Sequence, residues 1–428
     1  MAIPTQATAP SAHSPVETYA DLPDLRAFVF ALFFIFGGIT SLNDVIIPKL
    51  KDLFTLSYFQ ALLVQSAFFT AYFLVSIPGA ALLRRFGHMR TAAIGLAAMT
   101  VGCLLFIPAS SSARFSVFLA ALFVLAGGVT IVQVVANPLI SMLGPPRTAH
   151  SRLTFAQAFN SLGTTIFPYV GSVIILGGLA SVDVRDLSGP ALSAYRQAET
   201  QAVVHTYLAL AAALLLVAVV VWGRRHRLHE EQEPARGAWR AFSLLRRPRF
   251  GFGAACIFLY VGAEVAIGSL IVNYLMQTDV MGLAERAAGK HVPLYWGGAL
   301  VGRFIGAAVL RVIAPGKVLA TVAAGAIALI LISANSTGVV AGYALLAIGL
   351  MNAVMFPTIF TLASEGLGRR AAEGSGVICV AIVGGAVIPP LTGHIADVSG
   401  SLAFALIAPA LCYGLIGAYG LFARKAAA

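Results

Sequence analysis

Charge is what this chain has least of. Only 11% of its 428 residues are Asp, Glu, Lys or Arg, and 59% are apolar; soluble domains carry roughly 25% charge. A solvated globular fold is excluded, because apolar runs of about 20 residues recur along the chain, each long enough to cross a hydrocarbon core roughly 30 Å thick. Short alternating strands are missing too, which excludes a β-barrel. Acid is scarcer than base: 17 Asp and Glu stand against 28 Lys and Arg, a net charge of +11. Yet the basic residues gather on no soluble segment, as a nucleic-acid surface would require. The four cysteines (Cys103, Cys256, Cys379, Cys412) each sit inside an apolar run, with no spacing for zinc or a disulfide pair. The first 25 residues hold no Lys or Arg. They lack the charged start of a signal peptide, so the first apolar run is expected to be retained.

What remains is an all-α membrane protein. Backbone groups in lipid must be satisfied within their own segment, which makes helices the economical solution. Twelve spans are predicted, at 27–48, 58–83, 90–108, 114–138, 153–177, 203–222, 251–278, 292–312, 317–334, 338–363, 374–392 and 401–422. The 42 glycines suit closely packed helices. With the N-terminus inside, the inner segments hold most of the base: "RRFGHMR", Arg147, Arg152, the "WGRRHRLHEEQEPARGAWRAFSLLRRPRF" connector, Arg369–Arg370 and Arg424–Lys425. That asymmetry places both termini in the cytoplasm. The expected organisation is a tail over 1–26, a six-helix bundle over 27–223, a cytoplasmic connector over 224–250, and a second six-helix bundle with a short tail over 251–428.

The connector splits the spans six and six, and the halves match at an offset near 220 residues. Pro138 falls on Pro357, Gly163 and Pro168 on Gly384 and Pro389, Asp44 on Glu264, and Gln133 on Asn352. Rare polar residues and prolines agreeing at nearly one offset point to two repeated halves with a site between them, the major facilitator architecture.

Intramembrane polar residues have a place to converge there. Gln133 and Asn137 share one helical face, as do Gln157 and Asn160, with Thr164 a turn further on. Span one brings Asn43 and Asp44, span two Gln65, span seven Glu264 and span ten Asn352. Such groups are costly in lipid and face a bundle interior or an aqueous cavity. The plainer reading is interhelical hydrogen-bond glue, open above all for Gln65, Asn137 and Asn352. Glu264 is either a second coupling acid or the partner of Arg303 in a buried ion pair. Asp44 has no cationic partner within its half unless span one ends early enough to reach Lys49 or Lys51. Without one, burial penalises its ionised form, so it can carry a proton. Amides both donate and accept, which suits a neutral polyhydroxylated substrate better than an anion. Phe69, Tyr72, Tyr260 and Tyr295–Trp296 could pack on a sugar's C–H face, although Tyr295–Trp296 also reads as an interfacial belt.

Long blocks in order carry a resemblance. They are "NDVIIPKLKDLFTLSYFQALLVQSAFF", "VQVVANPLISMLGP", "SRLTFAQAFNSLGTTIFP", "FLYVGAEVAIGSLIVNYL", "YWGGALVGRFIG", "NAVMFPTIFTLASEGLG" and "GSGVICVAIVGGAVIPPLTGHIAD". From about Phe28 to Phe422 the chain resembles the fucose:proton symporter family of major facilitator transporters, especially its glucose/galactose transporter branch. The resemblance implies that Asp44 of the "ND" motif is a protonatable transport residue and that Asn160 of "FNS" binds sugar. Where the fucose branch has a glutamate before "ANP", implied to contact sugar and share in coupling, this chain has Gln133. That change argues for the hexose branch and against the fucose-type two-acid mechanism. Arg84 stands where the usual facilitator loop signature has Asp, a departure common in the fucose family.

The expected function is therefore symport of a neutral hexose with a proton across a bacterial inner membrane, by alternating access. Asp44 would be the coupling acid, with Asn43, Gln65, Gln133, Asn137, Gln157, Asn160 and Asn352 as candidate sugar ligands. Neither a cofactor, a metal site, a nucleic-acid partner nor an obligate protein partner is expected; the partners are the sugar and the bilayer. The alternatives are a fucose-type deoxyhexose symporter or a sodium-coupled or uncoupled sugar carrier, with Na⁺ held by Asn43, Asp44 and backbone oxygens near Gly37 and Gly38. An enzyme is not expected, since His88, His150 and His226 lie in loops and His205 and His394 stand alone at span ends. A connector of about 30 residues is too short for the output domain of a sensor.

Overall fold

The computed structural model describes residues 22–54, 58–112, 114–171, 189–226 and 238–424. All regular structure among them is helical. The first group comprises α1 (Pro23–Phe54), α2 (Tyr58–Leu104), α3 (Phe106–Ser112), α4 (Phe115–Met142), α5 (Ala149–Gly171) and α6 (Gly189–Gly223). The second comprises α7 (Pro248–Met276), α8 (Glu285–Gly289), α9 (Val292–Val309), α10 (Pro315–Asn335), α11 (Gly338–Asn352), α12 (Met355–Ser364), α13 (Ala371–Ala381), α14 (Gly384–Ser399), α15 (Leu402–Ala405) and α16 (Ile407–Phe422).

Ten helical stretches among the described residues are long and apolar enough to cross a membrane. One of them, Ser66–Ser111, is two spans joined at Gly87. Gly87 adopts φ 76° and ψ 175°, a left-handed backbone that only glycine takes without strain. The more polar α5, carrying Arg152, Gln157 and Asn160, completes the twelve. Spans ten to twelve are each broken into two helices, which periodicity alone did not foretell. In span ten the cause is Pro357: it has no N–H to give the carbonyl of Ala353, and α11 stops where α12 begins. The connector also holds a short 3₁₀ helix, Ala238–Arg246. Outer side chains such as Leu216 and Leu411 stand 67% and 65% exposed, the surface a bilayer would cover.

The two groups repeat one packing scheme. Span one lies on span five (α1 on α5), and span seven on span eleven (α7 on α14). A Cβ at Gly163 would strike the carbonyl of Phe34, and one at Gly384 the carbonyl of Phe258. In both groups, then, the same glycine lets a backbone approach its partner helix closely. Between the groups, α5 meets α9 and α2 meets α13. The site lies along that seam.

Candidate functional site

Fourteen residues from both groups enclose a central cavity of about 160 Å³. The first group lines it with neutral donors and acceptors. α1 contributes Phe36 and Thr40, α2 Tyr72, α4 Gln133, and α5 Gln157, Asn160 and Thr164. Helical spacing explains the α5 set, since Gln157, Asn160 and Thr164 are three and four residues apart. Their neighbours fix several of them. The Tyr72 hydroxyl donates to Gln133 Oε1 at 2.6 Å, across 61 residues of sequence. Asn160 donates through Nδ2 to the Phe33 carbonyl at 3.3 Å. A side chain at Gly37 would collide with Asn160, so that glycine is what lets α5 bring the amide to the wall.

The second group brings the charge. α7 contributes Tyr260, Val261 and Glu264, α9 Arg303, and α12 Phe356. Glu264 Oε1 accepts from the Tyr260 hydroxyl at 2.8 Å, and Oε2 makes no hydrogen bond among the described residues. Arg303 donates through Nη1 to the Gln157 carbonyl at 2.9 Å and to the Ser161 hydroxyl. Its Nε reaches the Ala353 carbonyl at 3.3 Å, the acceptor that Pro357 leaves without its helical donor. The expected Glu264–Arg303 ion pair is therefore not made. Arg303 spends its donors across the seam and acts on Glu264 only through space.

The structure also separates the other candidates. Asn352 is wholly buried behind Tyr260 and does not line the cavity. It donates to the Tyr295 hydroxyl at 2.8 Å, its carbonyl accepts from Tyr260 at 3.1 Å, and Tyr295 in turn donates to the Glu264 carbonyl at 3.1 Å. Tyr295 is thus a buried strut of the acidic wall, not an interfacial residue. Asn137 is buried off the cavity, and neither of its amide atoms has a partner among the described residues. Gln133, one turn away, lines the cavity; Asn137 does not. The side chains of Asn43, Asp44, Gln65, Lys49 and Lys51 lie outside the described residues.

Below the cavity, the basic ends of the two groups are clamped together. Arg84 pairs with Glu373, and His150 meets Glu365 at 3.1 Å and also Thr361. Arg249 holds the same glutamate. Ser151 donates to the Ala307 carbonyl at 2.6 Å, and Ser375 to the Val134 carbonyl at 2.8 Å. Sequence reasoning treated His150 as a loop residue without partners and missed Ser161 and Ser375; partners more than 100 residues away leave no local signal. Arg152, read as one more loop charge, is buried and caps α4, donating to the carbonyls of Ile140, Ser141 and Gly144.

A family model described as "Major Facilitator Superfamily" matches residues 29–387. A "Glucose/galactose transporter" of Brucella abortus is 47% identical over 92% of each chain. The "L-fucose-proton symporter" of Escherichia coli (strain K12) is 32% identical over 94% of this chain and 93% of its own length. Among solved structures, the transporter FucP "in the outward conformation" superposes with a TM-score of 0.86 at 31% identity, covering 94% of this chain and 99% of that one.

Proposed function

The chain belongs to the major facilitator superfamily, and from that premise we propose that it carries a neutral hexose together with a proton by alternating access. The observation that carries this reading is the central cavity, where amides and hydroxyls from one group of helices face one carboxylate from the other. Gln133, Gln157 and Asn160 offer paired donors and acceptors to sugar hydroxyls. Phe36 and Phe356 give the ring's C–H faces something to pack on. The names of the relatives support the substrate class and proton coupling.

Coupling is assigned to Asp44, with Glu264 of the central cavity as a candidate second acid. Protonation and sugar binding together favour the occluded form. The halves 27–223 and 251–428 then rock about the cavity in a bacterial inner membrane, the basic side facing the cytoplasm. A proton moving inwards down about 100 mV yields roughly 2.3 kcal/mol, enough for about fortyfold accumulation. Cotransport needs only that the proton bind the loaded form more tightly than the empty one.

The test is sugar-driven pH change in sodium-free proteoliposomes. Glucose or galactose should alkalinise the outside, and Asp44→Asn should abolish that signal while sugar exchange survives. Uptake that produces no pH change but is stimulated by sodium would overturn proton coupling and make Asp44 a cation ligand.

A further inference from the structure

The Tyr260 hydroxyl has one hydrogen and two acceptors. Glu264 Oε1 stands 2.8 Å from it, one turn along the same helix, and the carbonyl of Asn352, the last residue of α11, stands 3.1 Å away. A hydroxyl gives a well-aligned bond to one partner at a time and can also accept. An ionised Glu264 only accepts, so it claims the hydrogen and leaves two oxygens facing each other between Tyr260 and Asn352. A proton on Oε1 reverses the order. The carboxyl then donates to the Tyr260 oxygen, and the phenol hydrogen turns about its C–O bond to the carbonyl. Among the described residues Oε2 has no hydrogen-bond partner, so Oε1 is where an arriving proton finds an acceptor.

The second acceptor sits where span ten breaks, since α11 ends at Asn352 and α12 starts at Met355. The next carbonyl, that of Ala353, is the one Pro357 leaves without its helical donor, and Arg303 holds it at 3.3 Å. The Asn352 side chain is fixed separately, through the Tyr295 hydroxyl to the Glu264 backbone. From this break α12 runs to the seam, where Thr361 and its C-cap Glu365 meet His150 of the first group. Among the described residues, the titratable groups that act on or feel Glu264 are Tyr260 on its own helix, Tyr295 and Arg303 on α9, and Tyr413 on α16. Of these, Tyr260 is the one that hydrogen-bonds the carboxylate.

We propose that Tyr260 is a positioning residue for coupling: it passes the protonation state of Glu264 to the break in span ten, and through α12 to the basic-side seam. The inference rests on the reading of Glu264 as an acid that takes up a proton in the transport cycle. With Glu264 protonated, both bonds of Tyr260 are made, and the break keeps the form in which the basic side is clamped. With Glu264 ionised, the Asn352 carbonyl loses its Tyr260 donor, which weakens that form. The closed form therefore holds the proton more tightly than the open one, and opening the basic side releases the proton inwards. The two-state element is the direction of one O–H bond.

The experiment uses the full chain in proteoliposomes without sugar, over a pH series. Labels on the basic ends of the two groups report opening, and infrared difference spectra follow the Glu264 carboxyl, assigned by its loss in Glu264→Gln. In the wild type, protonation of Glu264 should favour the closed form about fivefold, the worth of one hydrogen bond. Glu264→Gln should lack that component of the pH response. Tyr260→Phe should lack it too, while its Glu264 carboxyl still titrates in the infrared. Tyr295→Phe removes a neighbouring hydroxyl that donates to the Glu264 backbone and not to its carboxylate, so it should retain the response. In wild type carrying isotope-labelled asparagine carbonyls, one amide band should move to lower frequency together with the Glu264 band, a readout that needs no variant. Opening that follows pH in Tyr260→Phe as in the wild type would overturn the relay. So would equal loss of the response in Tyr295→Phe, which would mark a general effect of packing, or an asparagine band that stays still while Glu264 titrates. Sugar-driven pH change in the wild type judges the transport reading separately, since it can be present whether or not opening passes through Tyr260.

Discussion

The two walls of the central cavity come from repeated halves, yet they carry different chemistry. Among the described residues, the first half presents Gln133, Gln157, Asn160 and three hydroxyls, and no charge. The second presents Glu264 and Arg303. Among these side chains, equivalent helices therefore supply a neutral face that can recognise hydroxyls and a charged face that can share the proton with Asp44 of the first half. The scaffold repeats because close helix packing demands it at Gly163 and Gly384 alike. The lining is free to diverge because a cavity places no packing demand on it. Recognition and response can then be altered one wall at a time.

The sharpest break of that division is Glu264→Gln. It keeps the hydrogen-bond acceptor for Tyr260 but removes the only described carboxylate in the cavity. If the charged wall responds to the proton, accumulation should fall by the whole of the proton's contribution, about fortyfold at 100 mV. Sugar exchange should persist, as measured by counterflow in proteoliposomes. Unchanged accumulation would leave coupling to the first half alone.

Arg303→Lys should have the next largest effect. Arg303 bridges the walls, donating to Gln157 and Ser161 on one side and Ala353 on the other. A lysine keeps the charge near Glu264 but cannot span three separated acceptors. Losing even one charge-assisted bond, at about 1.5–3 kcal/mol, should slow uptake at least about tenfold. An alanine in its place should do more, since it also strips Glu264 of its neighbouring cation. Similar rates for the lysine and the alanine would mean that the bridging geometry, not the charge, is what the transporter uses.

Much of this was legible beforehand, for a physical reason. An amide or an acid in a span is so costly in lipid that its presence marks an interior, and Gln133, Gln157, Asn160, Glu264 and Arg303 all proved to line the cavity. The failures share a cause as well. Asn137 and Asn352 are equally costly in lipid, but one is buried off the cavity and the other lies among tyrosines; polarity says that a residue faces inward, not what it meets there. The Glu264–Arg303 pair was one of two readings, and the actual acceptors of Arg303, two backbone carbonyls and a serine, have no signature in a sequence. His150 and Glu365, 215 residues apart, were invisible for the same reason.

Tyr72→Phe probes the neutral wall with the charged one intact. It removes the hydroxyl that aims Gln133, itself one of the three in the lining. A net loss near 1 kcal/mol should weaken sugar binding about fivefold, read by calorimetry, with the proton-to-sugar ratio unchanged. A changed ratio would show that recognition and coupling are not divided between the walls as their chemistry suggests.

The smallest expected effect distinguishes the two prolines of the repeat. Pro138 and Pro357 each leave the carbonyl four residues earlier without its helical donor. Ala353 receives Arg303 from its own half, a bond that can survive any relative motion of the halves. Val134 instead receives Ser375 from the opposite half, and both residues are wholly buried. If the halves rock as proposed, that bond is made only while the basic side is closed, and water can take its place once that side opens. Ser375→Ala should therefore cost the closed state alone. At the low end of the usual net worth of a hydrogen bond, about 0.7 kcal/mol, the equilibrium should move about threefold towards opening, measured as label distances across the seam. Pro138→Ala restores the helical N–H to Val134, so the serine should then matter little. The two substitutions should be non-additive in a double-mutant cycle, and simple additivity would refute the proposed link between the proline and the closed state.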